Sequence, residues 1–244
     1  MAKVAVIIAA AGKGERFGSN EKKTFAKLDG SPVFLRSVQH FVNRDDVCQT
    51  ILVVGAEDVG ELKKKYAANL GFMGVQLVEG GDERYASIAR AVERVTDEAD
   101  LIAVHDAVRP CVSTAMIDAV FAEAEKTGAA ILAAPLRGTI KRASDAGVID
   151  ETIPREGLYE AQTPQVFKRE LLCEAYAALG ETDATITDDA QVVERTGHPV
   201  SIVESDGTNL KITTKPDMTL AAAILKARPA PVKKAISPFE EAQW

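Results

Sequence analysis

The sequence predicts an α/β protein built on a doubly wound parallel sheet. Three observations carry that prediction: apolar runs of strand length, single amphipathic helices between them, and caps or glycines at the joints. The runs at Val4–Ala9 and Leu101–His105 show no polar alternation, as strands covered on both faces should not. A strand–helix–strand rhythm requires right-handed crossovers, and therefore neighbouring strands that run parallel.

The elements follow in order. After the first strand, Ser31-Pro32 offers a cap and a first-turn proline, and Phe34, Val38, Phe41 and Val42 share one helical face. Thr50–Val54 reads as a strand, Asp58–Ala68 as a helix and Val75–Val78 as a strand. Arg84–Val95 is helical, with Ile88, Val92 and Val95 on one stripe. Leu101–His105 is followed by a helix that Ser113 caps and Gly128 stops, and then by a strand at Ile131–Leu136.

Residues 137–160 break the rhythm. They carry no helical stripe, and Asp145-Ala146-Gly147 is a turn signal between two β-prone arms, so a projecting hairpin arm is expected. Helices at Lys168–Leu179 and Thr187–Gly197, strands at Val200–Glu204 and Leu210–Thr213, and a helix from Pro216 complete the pattern. The reading is one domain over 1–228 with a proline-punctuated tail over 229–244 and no internal repeat.

Composition excludes several functions. A net charge of −7 argues against a broad nucleic-acid surface, though not against a small anion held by a few local bases. Cys48, Cys111 and Cys173 are scattered and form no CxxC pair, which fits reduced thiols in a cytoplasm better than disulfides or zinc. His40, His105 and His198 have no ligand spacing, and His105 reads as a strand-end hydrogen-bonding residue. No apolar run is long enough to span a bilayer, and no leader is expected ahead of a strand that begins at Val4.

The first strand breaks into AAAGKGERFG at residues 9–18, a shape that suits backbone wrapped around phosphate. A dinucleotide fingerprint needs a third glycine where Phe17 stands, and no acidic residue follows at the end of a second strand. A Walker A loop fails too, because Phe17, Gly18 and Ser19 occupy the positions of its glycine, lysine and hydroxyl. What remains is GxGxR, with Lys23 seven residues after Arg16, or an ordinary strand–helix turn with solvated charges.

Further strings decide between these. They are GGDERYASI at 80–88, VHDAVRP at 104–110, AQTPQVF at 161–167, ATITDDA at 184–190 and NLKITT at 209–214. In this order and spacing they resemble the cytidylyltransferases that act on 2-C-methyl-D-erythritol 4-phosphate, from about residue 3 to about residue 226. The resemblance implies a Rossmann-like, mostly parallel sheet and a β-arm that helps to form a homodimer. It also implies Mg²⁺-dependent transfer of CMP from CTP with release of pyrophosphate.

By the same resemblance, Ala10, Ala11, Gly12 and Gly14 form the nucleotide's backbone cradle, and Arg16 and Lys23 stabilise the α-phosphate transition state. Gly81, Asp82 and Ser87 stand where the family reads cytosine, and Asp106 matches the magnesium ligand, with Ala107 and Arg109 continuing that motif. Thr139, Arg155, Thr163, Thr187 and Lys211 match the pocket for the sugar-alcohol phosphate. Ala9 stands where the family usually has proline, and Glu21-Lys22-Lys23-Thr24-Phe25 replaces a usual Pro-Lys-Gln. Spacing from Arg16 favours Lys23 over Lys22 as the inward lysine.

Taken alone, Asp106 reads as a turn acid, Thr163-Pro164 as a turn and Thr187 as a helix cap. The implied chemistry fits the residue types: a phosphate monoester is already an anion, so the site needs positive charge and positioning rather than a general base. A sister enzyme using ribitol 5-phosphate shares HDAVRP, but Thr139-Ile140-Lys141-Arg142 and Thr185-Ile186-Thr187-Asp188 look more like the methylerythritol enzymes. Arg16, Lys23, Asp106 and Lys211 argue against a non-catalytic nucleotide-binding regulator.

Overall fold

Val4–Ala9 (β1) is an interior strand of a seven-stranded sheet because every residue from Val4 to Ile8 is apolar and buried, so both of its faces must be covered. The computed structural model describes residues 1–12, 22–179 and 186–228. Gly14, Arg16, Thr185 and the tail 229–244 lie outside the described residues.

In chain order the elements are β1; β2 (Lys27–Leu28); β3 (Ser31–Pro32); α1 (Val33–Gln39); β4 (Val47–Val54); α2 (Ala56–Phe72); and β5 (Val75–Glu79). Next come α3 (Arg84–Val92), β6 (Leu101–Asp106), α4 (Thr114–Thr127), β7 (Ala129–Pro135), β8 (Ile140–Ala143) and β9 (Ile149–Ile153). The chain continues with β10 (Tyr159–Lys168), α5 (Arg169–Ala177), α6 (Asp189–Glu194), β11 (Ser201–Glu204) and α7 (Lys215–Ala227).

The large sheet has the order β11-β7-β10-β6-β1-β4-β5. β1 runs parallel to both β4 and β6, and Ala9 lies in register with Val53 and Asp106, which brings the carboxyl ends of these strands to one edge. Strand alternation sends Val4, Val6 and Ile8 to one face, against α1, α2 and α4. Ile7 goes to the other face, against α3, α5 and α6. This is the doubly wound, mostly parallel α/β fold that the sequence predicts, with helices on both sides of the sheet.

The joints expected from the sequence are present around α4. The Ser113 hydroxyl accepts the Met116 N–H at 3.2 Å, and Gly128 ends the helix at φ +94°, where a side chain would be strained. The arm is present as well: β8 and β9 pair antiparallel, with Gly147 at φ +75° in the connecting turn. Val148 and Ile149 are left well exposed on it.

Several expectations need correction. The stretch around Thr163-Pro164 is no turn but the interior of β10, which runs antiparallel between β6 and β7. The sequence shows no strand there because Gln162, Thr163 and Gln165 interrupt the apolar pattern, yet all three are buried and hydrogen-bonded. Leu210–Thr213 is not a strand: Ile212 donates one backbone hydrogen bond to Val108 and packs with Ala221 of α7 instead. Ser31-Pro32 pairs with Lys27–Leu28 rather than capping α1, which starts at Val33 without a side-chain cap. Thr187 precedes the true cap of α6, Asp188, whose carboxylate accepts the Gln191 N–H.

Two aromatic contacts link this frame to the segment before β2 and to α2. Phe34 is fully buried and meets Phe25 and Tyr66 edge-on, with ring centroids 5.8 and 5.3 Å away. Phe34→Ala is therefore expected to lower the unfolding free energy by about 3–5 kcal/mol in urea titrations. A loss below about 1 kcal/mol would mean that the surrounding side chains close the space.

Candidate active site

The aligned carboxyl ends of β1 and β6 open into a cavity of about 380 Å³. Open α/β sheets bind ligands at this edge. Ala10, Ala11 and Gly12 enter from the end of β1, Lys23 and Thr24 from the segment before β2, and Asp82, Arg84 and Ser87 from the start of α3. A second cavity of about 200 Å³ is lined by Arg109, Thr163, Gln165, Thr187 and Asp188. Arg84, Asp106 and Lys211 line both cavities.

Asp106 is the last residue of β6 and is buried. Burial alone would push its carboxyl up, but Lys211, Arg84 and Arg109 outweigh that and hold it well below the usual carboxylate range. Lys211 Nζ stands 2.9 Å from Oδ2, and Arg109 Nε stands 3.3 Å from the same oxygen. The Asp106 N–H donates to the Thr163 hydroxyl at 3.0 Å, and that hydroxyl lies 3.2 Å from His105 Nδ1. Burial pushes His105 down to about 3, so it is a neutral ring that fastens β6 to β10. The Asp106 carboxylate and the His105 ring, both held low, are weak proton acceptors near neutral pH, and Lys211, Arg84 and Arg109 surround the carboxylate with positive charge.

Arg84 and Asp189 are functional candidates that the sequence reading passes over. Arg84 Nη2 lies 2.6 Å from Asp189 Oδ2, and the Tyr176 hydroxyl donates to Asp189 Oδ1 at 2.6 Å. Arg84 Nη1 is buried with no partner among the described residues, a cost retained at the cavity wall. The signal was available: Arg84 is the first residue of a helix that begins just beyond Gly80-Gly81. Both glycines are needed for close approach. A Cβ at Gly80 would stand 2.6 Å from Ser87 Oγ, and one at Gly81 would stand 2.8 Å from Ala86 Cβ.

The remaining expected residues divide. Ser87 lines the larger cavity, and its hydroxyl also accepts the Gly81 N–H at 3.1 Å, which fastens the turn that carries Asp82. Ala107 lies behind the cavity wall: it is fully buried, its N–H donates to the Ala9 carbonyl, and its carbonyl accepts from Ser37. Arg109 reaches the Asn209 carbonyl at 2.8 Å besides Asp106, so it ties β6 to the segment that carries Lys211. Thr139 and Arg155 are exposed at the base of the arm and line neither cavity. Arg155 donates to the Arg137 carbonyl.

Lys22 turns away from the larger cavity to Glu57 and Asp58, whereas Lys23 lines it, as the spacing from Arg16 suggests. Among the described residues no group of three or more His, Cys, Asp or Glu side chains could hold a metal by itself.

Residues 4–227 match the family described as 2-C-methyl-D-erythritol 4-phosphate cytidylyltransferase. A protein of that name from Rhodopirellula baltica is 44% identical over 92% of this chain and 95% of its own. One from Endomicrobium trichonymphae is also 44% identical, over 92% of this chain and 100% of its own. The crystal structure of 2-C-methyl-D-erythritol 4-phosphate cytidylyltransferase from Thermus thermophilus superposes with a TM-score of 0.77 at 30% identity, covering 93% of this chain and 100% of that one.

The neutral histidines generate a pH prediction. His40 is lowered by burial in the same direction as His105. Below the ordinary histidine value of about 6.5, the unfolded chain binds protons that the folded chain refuses, so stability falls as pH falls. His105 adds a slope of up to about 1.4 kcal/mol per pH unit below about pH 6.5, and His40 adds to it in the same direction. Urea midpoints should drop steadily from pH 7 to pH 5; a flat profile would show that these rings take up protons in the folded state.

Proposed function

Because the chain belongs to the 2-C-methyl-D-erythritol 4-phosphate cytidylyltransferase family, we propose that it transfers CMP from CTP to 2-C-methyl-D-erythritol 4-phosphate, releasing pyrophosphate, in non-mevalonate isoprenoid biosynthesis. The observation that carries this reading is the shared wall: two adjoining cavities meet at Arg84, Asp106 and Lys211. That is the arrangement needed to bring a triphosphate and a second phosphate against each other.

In this reading the larger cavity takes CTP and the smaller takes the acceptor. Ala10, Ala11, Gly12 and, in the segment outside the described residues, Gly14 cradle the nucleotide, while Gly81, Asp82 and Ser87 face the base. Lys23, with Arg16, meets charge that builds on the α-phosphate, and Lys211 steers the attacking phosphate into line. Arg109, Thr163 and Thr187 hold the acceptor end, with Arg109 acting through Asp106 and Asn209. The acceptor phosphate is its own nucleophile, so no residue has to remove a proton.

Magnesium is part of the proposal. Mg²⁺ is commonly bound through one or two protein carboxylates together with substrate phosphates, and Asp106, buried and ionised beside the shared wall, fits that donor set. Asp106 would hold the ion, which would neutralise triphosphate charge. The proposed catalytic unit is residues 1–228, and the cytoplasm is the proposed location, since Cys48, Cys111 and Cys173 are free.

The direct test is pyrophosphate release from CTP with each acceptor. Turnover is expected with the methylerythritol phosphate, and a chelator should abolish it. Turnover with ribitol 5-phosphate alone would reassign the substrate, and none with either would return the chain to nucleotide binding. Lys23→Ala should lower kcat by about two to three orders of magnitude, the loss typical of one electrostatic donor. A change confined to KM would put Lys23 on ground-state binding.

The arm supplies the homodimer part of the proposal. Thr139 and Arg155 line neither cavity of their own chain, and the arm exposes Val148 and Ile149. In a twofold dimer an arm can reach its neighbour's site as the neighbour's arm reaches back. Mixing inactive Arg155→Ala and Lys23→Ala chains should then recover about a quarter of wild-type activity, since half the dimers are mixed and each has one intact site. With exchange verified by two affinity tags, no recovery would place Arg155 in its own chain's site.

A further inference from the structure

Two adjacent lysines, Lys22 and Lys23, follow the glycine loop, and only one of them lines the nucleotide cavity. Lys22 Nζ is 2.7 Å from Glu57 Oε1 and 2.8 Å from Asp58 Oδ2, both in the first turn of α2. Asp58 is buried, so this contact is more than a surface pair. Gly55 makes room for it: a Cβ there would lie 2.7 Å from a Glu57 carboxylate oxygen.

The backbone beyond Lys22 is fixed as well. The Lys22 carbonyl accepts from Phe25 at 2.9 Å and from Ala26 at 3.2 Å, which closes a single tight turn over Lys23 and Thr24. Phe25 is buried against Phe34, and the Thr24 carbonyl accepts the Phe34 N–H. Lys23 therefore sits between two anchors, and within such a turn successive side chains point in different directions.

We propose that Lys22 is a positioning residue: its clamp onto Glu57 and Asp58 commits that side chain to α2 and thereby aims Lys23, and not Lys22, into the nucleotide cavity. The inference rests on the proposed CTP-dependent transfer. Removing the clamp frees one end of the turn, so Lys23 samples directions away from the α-phosphate. Glu57 and Asp58 keep a favourable place at the helix N-terminus without their partner, so the fold should survive the change.

The test is a double-mutant cycle on the full chain, read by pyrophosphate release from CTP and by thermal melting. Lys22→Ala should lower kcat about tenfold with KM for CTP changed less than about twofold, and Lys22→Arg should keep most of the activity because it retains the ion pairs. In the Lys23→Ala background, Lys22→Ala should cost nothing more, since the lysine that it aims is gone. Multiplying losses would overturn the proposal, showing that Lys22 acts on its own. Unchanged kcat in Lys22→Ala would overturn it too, as would a melting temperature lower by more than about 4 °C, which would assign the pair to the fold. A wild-type chain that releases no pyrophosphate would instead fail the functional reading, and that outcome is separate from any pattern among the variants.

Discussion

The site depends on keeping one carboxylate charged where water is scarce. Asp106 ends a strand that is buried on both faces, and a lone buried charge would be neutralised by proton uptake. It stays ionised because cations arrive from three separate parts of the chain: Arg84 from the start of α3, Arg109 from just beyond β6, and Lys211 from the segment before α7. Neutralising one acid thus pulls three segments to one point. The two cavities adjoin because they share that point.

The neighbouring strand makes this arrangement rigid. Among the described residues β10 is the only strand pairing antiparallel with β6 and β7, and it brings a row of buried polar side chains into the sheet. Thr163 accepts the Asp106 N–H, Gln165 accepts the Asp189 and Ala190 N–H groups, and Gln162 accepts from Asn209 and Ser205. These bonds tie β6, the start of α6 and the segment between β11 and α7 to β10, so the strand serves as a rack from which both cavities are hung. Such a network stabilises only when its members are satisfied, which ties the acceptor side of the site to the integrity of β10.

The parts that were legible in the sequence share one property: their cause is local. Val4–Ala9 declares a buried strand by composition, Ser113 and Gly128 declare the ends of α4 through hydroxyl and left-handed backbone, and Asp145-Ala146-Gly147 declares the hairpin. β10 was hidden because its apolar pattern is broken by residues whose burial is compensated only by distant partners such as Asp106, Asp188 and Asn209. Leu210–Thr213 misled in the opposite way: it has strand-like residues, but its burial comes from α7 and a single bond to Val108, not from a ladder. In the site, spacing from Arg16 points to Lys23 and the carboxyl end of a buried strand points to Asp106, and both line the larger cavity, while Arg84 goes unread because its partner Asp189 is 105 positions away.

The same contrast explains how the work of the site is divided. Groups attached to the sheet, such as Asp106 and Thr163, are fixed by strand register and buried hydrogen bonds, and they set the charge pattern before any ligand arrives. Lys23 stands on a connecting turn outside the sheet, and the contacts at either end of that turn fix the backbone that carries it. A reaction between two anions is limited by how accurately positive charge meets a developing negative one, and a displacement of about 1 Å can cost two orders of magnitude. The frame can therefore tolerate sequence drift in its apolar faces, where any well-packed hydrophobe serves. The turn that carries Lys23 is held to a narrower choice, because its anchors are a specific ion triplet on one side and a specific ring contact on the other.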